Sequence, residues 1–368
     1  MVLYYNVAQP QNIKGSYSPF DQIDFLVKMP AGREIKKGSF RLSGNLKVQV
    51  VLKSAPTVKV DLTPQHQVNV SQFCGLHGLF RSFTESVNDQ TIENIAYYPR
   101  WVAMKKQAEN PQTHLYTSSE NVGELTGLYS SQLLCGDGTN GVSFSIKPQI
   151  AINKSDQNLP QSKFVQVRVM TQLASALECF YSTLVDGSGN SLLNSIEYTV
   201  EDLQLAWYEQ NQSSGGDVVL NTAYLNKQTV VSNHTNLNLF APNVYDAVSV
   251  SFIRQADLNN IQTDNNANYL VPHIQRVEYT LNGNDAPISY PIETYQDLMV
   301  NYKKSLMAGE KHCFSKSLIS LGQCFGIGCS FPTSVNDKLG INIDISDVET
   351  MSSNQFDAYM YVNGYLTL

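Results

Sequence analysis

Apolar and polar residues alternate along much of this chain. "FRLSGNLKVQVVL" (40–52), "FVQVRVMTQL" (164–173) and "IEYTVEDLQLAWYE" (196–209) hold period-two stretches. Successive side chains of a strand point to opposite faces, so this period marks strands with one buried face. "VSFSIKPQIAIN" (142–153), "TAYLNKQTVV" (222–231), "AVSVSFIRQ" (247–255), "HIQRVEYTL" (273–281), "KLGINIDIS" (338–346) and "FDAYMYVNGYLTL" (356–368) also read as strands, rich in β-branched and aromatic residues. "VEYTLNGNDAPISYP" (277–291) reads as a strand entering a hairpin turn at Asn282-Gly283-Asn284-Asp285. Helical periodicity is scarce. "ETYQDLMVNYKKSLMAG" (293–309) predicts a helix, and "SSENVGELTGLYSSQLL" (118–134) carries a weaker signal. Residues 1–20 read as an irregular arm punctuated by Pro10, Gly15 and Pro19. Many short strands with few helices predict an all-β protein of the sandwich or jelly-roll class.

The strands fall into two sets. "QNQSSGGD" (210–217) is polar, rich in Gly and Ser, and lacks large apolar residues, which marks a linker. Across it, "HGLFRSFTESVND" (77–89) aligns without gaps on "HIQRVEYTLNGND" (273–285), matching His77 with His273, Thr84 with Thr280, Asn88 with Asn284 and Asp89 with Asp285. Ile92-Glu93 then meets Ile292-Glu293, and Lys105-Lys106 meets Lys303-Lys304. Each half closes on an aromatic strand, "LQLAWYE" or "AYMYVNGYLTL". One β unit repeated twice predicts two tandem eight-stranded jelly rolls, a double jelly roll with short helices in the connections. The expected division is an N-terminal arm and first strand region over 1–37, a first roll over 38–209, the linker over 210–217 and a second roll over 218–368.

Composition narrows the reading. The chain has 368 residues, of which 15% are charged and 42% hydrophobic. The charged share is well below the roughly 25% usual in soluble domains. Neutral polar surface suits a protein with many permanent contacts, where buried charge costs most, although it also suits a neutral-surfaced monomer. The net charge is −7, so the whole chain is not built to neutralise a nucleic acid. Basic residues concentrate near the N-terminus at Lys28, Arg33, Lys36, Lys37, Arg41, Lys47, Lys53 and Lys59. That run could face phosphates or be an ordinary solvated strand face. The six cysteines show neither disulfide-framework nor zinc-site spacing, which predicts buried thiols folded in a reducing compartment. No signal peptide or transmembrane helix is expected.

These features resemble the double jelly-roll major capsid proteins of the PRD1–adenovirus viral lineage. The likeness rests on two tandem β units joined near 210–217. It also rests on "PAGREIKKGSFRLSGNLKV" (30–48), similar to an arm entering the first roll, and "RVEYTLNGNDAPISYPIETYQDLMVNY" (276–302), similar to the corresponding passage of the second. The resemblance implies a virion capsid subunit with no catalytic residue, cofactor or metal. Its partners would be itself, as homotrimers that tile with neighbouring capsomers, together with penton and minor capsid proteins. At the capsid base it would meet an internal membrane or the genome. Lys28, Arg33, Lys36, Lys37 and Arg41 are the candidate cluster for that base. Folding would take place in the host cytoplasm or another reducing compartment.

Two other readings compete. A vertex or minor capsid protein commonly carries one roll plus an insertion, and the internal repeat argues against it. A two-domain glycan-binding protein or glycosidase would need paired carboxylates at defined separation. Glu201-Asp202 and Asp344 with Asp347 are such pairs in sequence only. The histidines show no H-x3-H or H-E-x-x-H spacing, and a structural role is expected for His77 and His273. Gly322, Gly326 and Gly328 in "ISLGQCFGIGCS" lack the Lys-Ser/Thr of a phosphate loop and read as close packing in a β segment.

Overall fold

The structure is a computed structural model. It describes residues 2–368 apart from 64–65, 67, 72–73, 109–132, 135–140, 156, 213–215, 231, 241–243, 267–273, 286–287, 289, 308–325, 331–332, 335 and 347–354. The weaker helix expected over 118–134, as well as His273, therefore lies outside or nearly outside the described residues.

Sixteen of the 22 strands among the described residues form two jelly rolls. The first contains β1 (Tyr4–Ala8), β2 (Gln22–Lys28), β3 (Arg41–Leu52), β4 (Phe80–Val87), β5 (Gln90–Ala96), helix α1 (Tyr98–Ala108), β6 (Val142–Ile146), β7 (Gln166–Leu173) and β8 (Leu193–Asn211). The second contains β9 (Val219–Val230), β10 (His234–Phe240), β11 (Tyr245–Arg254), β12 (Ile274–Leu281), β13 (Asn284–Asp285), helix α2 (Tyr295–Met307), β14 (Gly326–Ser330), β15 (Lys338–Ile345) and β16 (Phe356–Thr367).

The pairing repeats. One sheet of the first roll runs β1-β8-β3-β6, and the other runs β2-β7-β4-β5. Adding eight to each label gives the second roll, β9-β16-β11-β14 and β10-β15-β12-β13. Residues 1–37, expected as an arm and first strand region, carry β1 and β2. The first roll thus begins before the expected boundary at 38, because these strands supply edges to both of its sheets. The linker region begins later than expected, since β8 continues to Asn211.

Local sequence explains the shared turns. The β4–β5 hairpin turns through Asn88 and Asp89 with φ of 49° and 66°, and the β12–β13 hairpin turns through Asn282 and Gly283 with φ of 52° and 83°. Two-residue hairpin loops need positive φ, which Asn, Asp and Gly tolerate best. After each hairpin comes a helix. Pro99 sits in the first turn of α1, where its missing N–H leaves no bond unmade. Thr294 caps α2: its hydroxyl accepts the Asp297 N–H at 3.2 Å and donates to the Asp297 carboxylate at 2.7 Å.

The hairpins also correct the alignment. The turns are flanked by Val87 with Gln90 and by Leu281 with Asn284, so Asn88 corresponds to Asn282 rather than Asn284. Phe83 pairs with Ile95, and its counterpart Val277 pairs with Ile292. Ile95 therefore corresponds to Ile292, and Glu93 to Tyr290 rather than Glu293. The gapless match was displaced by two residues on the strand, a shift that keeps every side chain on the same face and so preserves the apolar pattern.

Each roll closes on its own apolar core. Ile23, Phe25, Val27, Phe83, Val167, Val169 and Leu205 are buried in the first. Val248, Val250, Phe252, Ile341, Ile343, Met360 and Val362 are buried in the second. Gly326 and Gly328 occupy β14 where α2 crosses it. A Cβ on Gly328 would lie 2.0 Å from Ser305 Oγ, and one on Gly326 would lie 2.1 Å from Val250 O. Close packing is thus their role.

Candidate assembly surfaces

The rolls meet at a buried junction. At its centre, β5 lies beside β9 through a parallel bridge between Asn94 and Tyr224, which joins two four-stranded sheets into one of eight. The outward face of β16 presents Tyr359 and Tyr361 to the first roll, while Ala358, Met360 and Val362 face the second roll's core. Trp101 stacks on Tyr361 at 5.6 Å, Tyr97 meets Tyr359 edge-on at 5.0 Å, and the Tyr361 hydroxyl donates to the Tyr97 carbonyl at 3.0 Å. The Arg100 guanidinium lies 4.5 Å from the Tyr359 ring centre, and Lys227 pairs with Asp357 at 2.6 Å. Lys105 Nζ donates to the Leu306 carbonyl of α2 at 2.8 Å. The rings give large buried area and present their faces to the cations, while Arg100 Nη1 and Trp101 Nε1 are buried without a hydrogen-bond partner among the described residues.

Two carboxylates sit beneath this layer. Glu85 and Glu93 are directly opposite across β4 and β5, and both are fully buried. Glu93 accepts the Ala151 N–H at 2.7 Å, the Ala223 N–H of β9 at 2.6 Å and Lys154 Nζ at 2.9 Å. It therefore ties both rolls and the 150–154 loop to one side chain. Glu85 accepts the Ile152 N–H at 3.3 Å. Burial, and then the neighbouring Glu93 charge, push the Glu85 carboxyl well above its ordinary range, so it holds a proton where an exposed glutamate has none.

The expected basic cluster lies elsewhere. Arg33 is opposite Asn211, the Lys36 N–H donates to the Tyr208 carbonyl at 2.9 Å, and Arg41 is opposite Ala206. These three gather at the C-terminal end of β8. Lys28 lines a groove with residues of the β1 region, Trp207 and Glu209. Lys37 is exposed, and its N–H donates to the Asn158 side chain at 3.0 Å. The Arg33 guanidinium lies 3.6 Å from the Tyr4 ring centre. Farther along β8, Lys47 pairs with Glu201 at 2.8 Å and Lys59 with Glu197 at 2.6 Å, so the basic run is neutralised there.

The other candidates have structural partners. Buried His77 Nδ1 is 2.8 Å from the Tyr98 hydroxyl, which accepts the Gln149 N–H at 2.8 Å. Glu201 is held by Lys47, while Asp202 accepts from Asn45 at 3.0 Å. Asp344 meets His234 at 2.7 Å, and Asp347 lies outside the described residues. Cys74, Cys179 and Cys329 are buried thiols; burial raises the last to about 12. Among the described residues no three His, Cys, Asp or Glu side chains cluster as metal ligands, and no helix is long and apolar enough to cross a membrane. Sequence reading missed the junction set of Glu85, Glu93, Tyr97, Arg100 and Lys227. Its one visible signal was charge at inward strand positions, as at Glu85 between Phe83 and Val87.

Known structures share this arrangement throughout the chain. The whole chain matches the Faustovirus major capsid protein with a TM-score of 0.59 at 8% identity, covering 90% of that protein. Its fold is the double jelly roll of viral major capsid proteins. The mavirus major capsid protein matches 99% of the chain at TM-score 0.55 and 9% identity, with 90% of its own length covered. The Sputnik virophage structure matches all of the chain at 0.54 and 12% identity, with 86% of its chain covered. No protein-family model and no curated protein sequence matches. At such identities the likeness is one of fold, with nearly every side chain different.

Proposed function

We propose that this chain is a viral major capsid subunit that self-assembles into homotrimers, each a six-sided tile of an icosahedral shell. The observation that carries this reading is the repetition of one pairing scheme in two rolls fused through a buried junction. Three copies bring six similar units around one axis, and a repeated heterologous contact forms a closed ring when its rotation closes. No side chain performs chemistry on this reading, and the protein works through complementary surfaces. The unit comprises both rolls, joined across 210–217 and including residues 1–37. The shell would also contact penton and minor capsid proteins, and folding would precede assembly in a reducing compartment.

The basic cluster is assigned to the capsid base, facing an internal membrane or the genome. Lys28, Lys36 and Lys37 are its exposed members. Mass measurement on the purified protein tests the main reading: a stable trimer near three times 40.9 kDa is expected, and a monomer at high concentration overturns it. Changing Lys36 and Lys37 to Glu should leave trimers intact and impair shell formation, whereas normal shells would remove the base assignment.

A further inference from the structure

The junction inside the chain is a template for the contact between chains. Within one chain, the outer edge of β5 in the first roll meets the outer edge of β9 in the second. Their counterparts are β13 and β1. Among the described residues β13 pairs only with β12, and β1 pairs only with β8, so each keeps an open edge. Open strand edges invite pairing with another chain.

Exposed apolar side chains stand at both edges, although others are scattered elsewhere on the surface. Val2, Leu3, Tyr4, Tyr5 and Val7 are exposed on and beside β1, with Tyr208 at 5.5 Å from Tyr5. Tyr290, Tyr295 and Val300 are exposed in the segment that follows β13. Tyr290 occupies the position equivalent to Glu93, whose carboxylate reaches β9 inside the chain. Yet Glu93 is fully buried, whereas Tyr290 is 61% exposed. Tyrosine in such a setting is an interface residue, because it joins large apolar area to a polar tip.

We infer that β1 of one copy docks against the β13–α2 segment of a second copy, with Tyr5 and Tyr290 at the contact. The contact is heterologous: two different surfaces meet, as at the internal junction. This inference rests on the trimer reading above and names which surfaces form it.

The test uses full-length Tyr5→Glu and Tyr290→Glu proteins, weighed in solution alone and mixed. The wild-type mass reports on the trimer reading, and the variants report on the edges. With a trimeric wild type, each variant alone should be monomeric where the wild type is fully assembled, a shift of at least about tenfold in midpoint concentration. An equimolar mixture should give a heterodimer near twice 40.9 kDa, because one intact β1 and one intact β13 edge remain. A variant that stays trimeric overturns the proposal while leaving the trimer reading in place. So does a mixture that stays monomeric, or a Tyr290→Glu protein that still dimerises through β1. A monomeric wild type overturns both. Far-UV circular dichroism confirms folding. Tyr5→Ser and Tyr290→Ser replace any glutamate variant that unfolds, with the same outcomes required.

Discussion

The first strand of each roll holds the same place in its sheet and meets a different fate. β9 is flanked by β16 on one side and by β5 of the other roll on the second. β1 is flanked by β8 alone among the described residues. Around β9 the chain supplies α1, two buried glutamates and a layer of Tyr, Trp, Arg and Lys. Farther along β8, beyond the stretch that β1 pairs with, the sheet instead carries partly exposed charge pairs such as Lys47–Glu201. The two rolls are alike in topology because strand pairing sets topology. They differ in surface because one edge is covered within the chain, whereas the other has no second strand beside it among the described residues.

Four substitutions sharpen this contrast, from the largest effect to the smallest. Trp101→Ala removes the ring that stacks on Tyr361 and should cost about 3–5 kcal/mol in urea unfolding, since a buried cavity remains. A loss comparable to that of an exposed residue would mean that the junction is not a core. Gly326→Ala forces a Cβ against the Val250 backbone oxygen, which cannot turn aside as a side chain can. A loss of about 1–3 kcal/mol is expected by the same measurement.

Glu85→Gln should act with the opposite sign. Folded Glu85 keeps its proton at pH values where the unfolded chain has lost it, so folding there takes up a proton. The stability tied to that proton is complete below the ordinary glutamate range and is lost as pH rises through the raised value. Glutamine carries no such penalty. The variant should therefore melt higher than wild type near neutral pH, by less than the glycine effect, and the gap should close in acid. A gap that widens in acid would contradict the burial argument. Lys59→Ala breaks an exposed pair on the uncovered face and should cost only about 0.2–1 kcal/mol, with the difference screened by salt.

Much of this was legible in order of residues. "FVQVRVMTQL" became β7, with Val167, Val169 and Leu173 facing inward. The stretch at 293–309 became α2 and the expected turn at Asn282-Gly283 formed. β1 was read as part of an irregular arm, because "LYYNVA" has no clean alternation and its edge position needs none. The last part of "VSFSIKPQIAIN" was read as strand but is a turn near Ile150–Lys154, whose N–H groups are taken up partly by Glu85 and Glu93 from another part of the chain. Such tertiary bonds leave no trace in local periodicity.

Sequence alone determined the β class, the two-part organisation and the low charge, since these follow from alternation, composition and turn residues along the chain. It could not determine which strand edges meet. That depends on residues far apart in sequence, such as Asn94 and Tyr224, coming to lie side by side. Only the folded chain decided that Glu93 would be buried and Tyr290 exposed at equivalent places. Burial is a property of what packs against a residue, and here the second roll covers Glu93 while Tyr290 is left exposed.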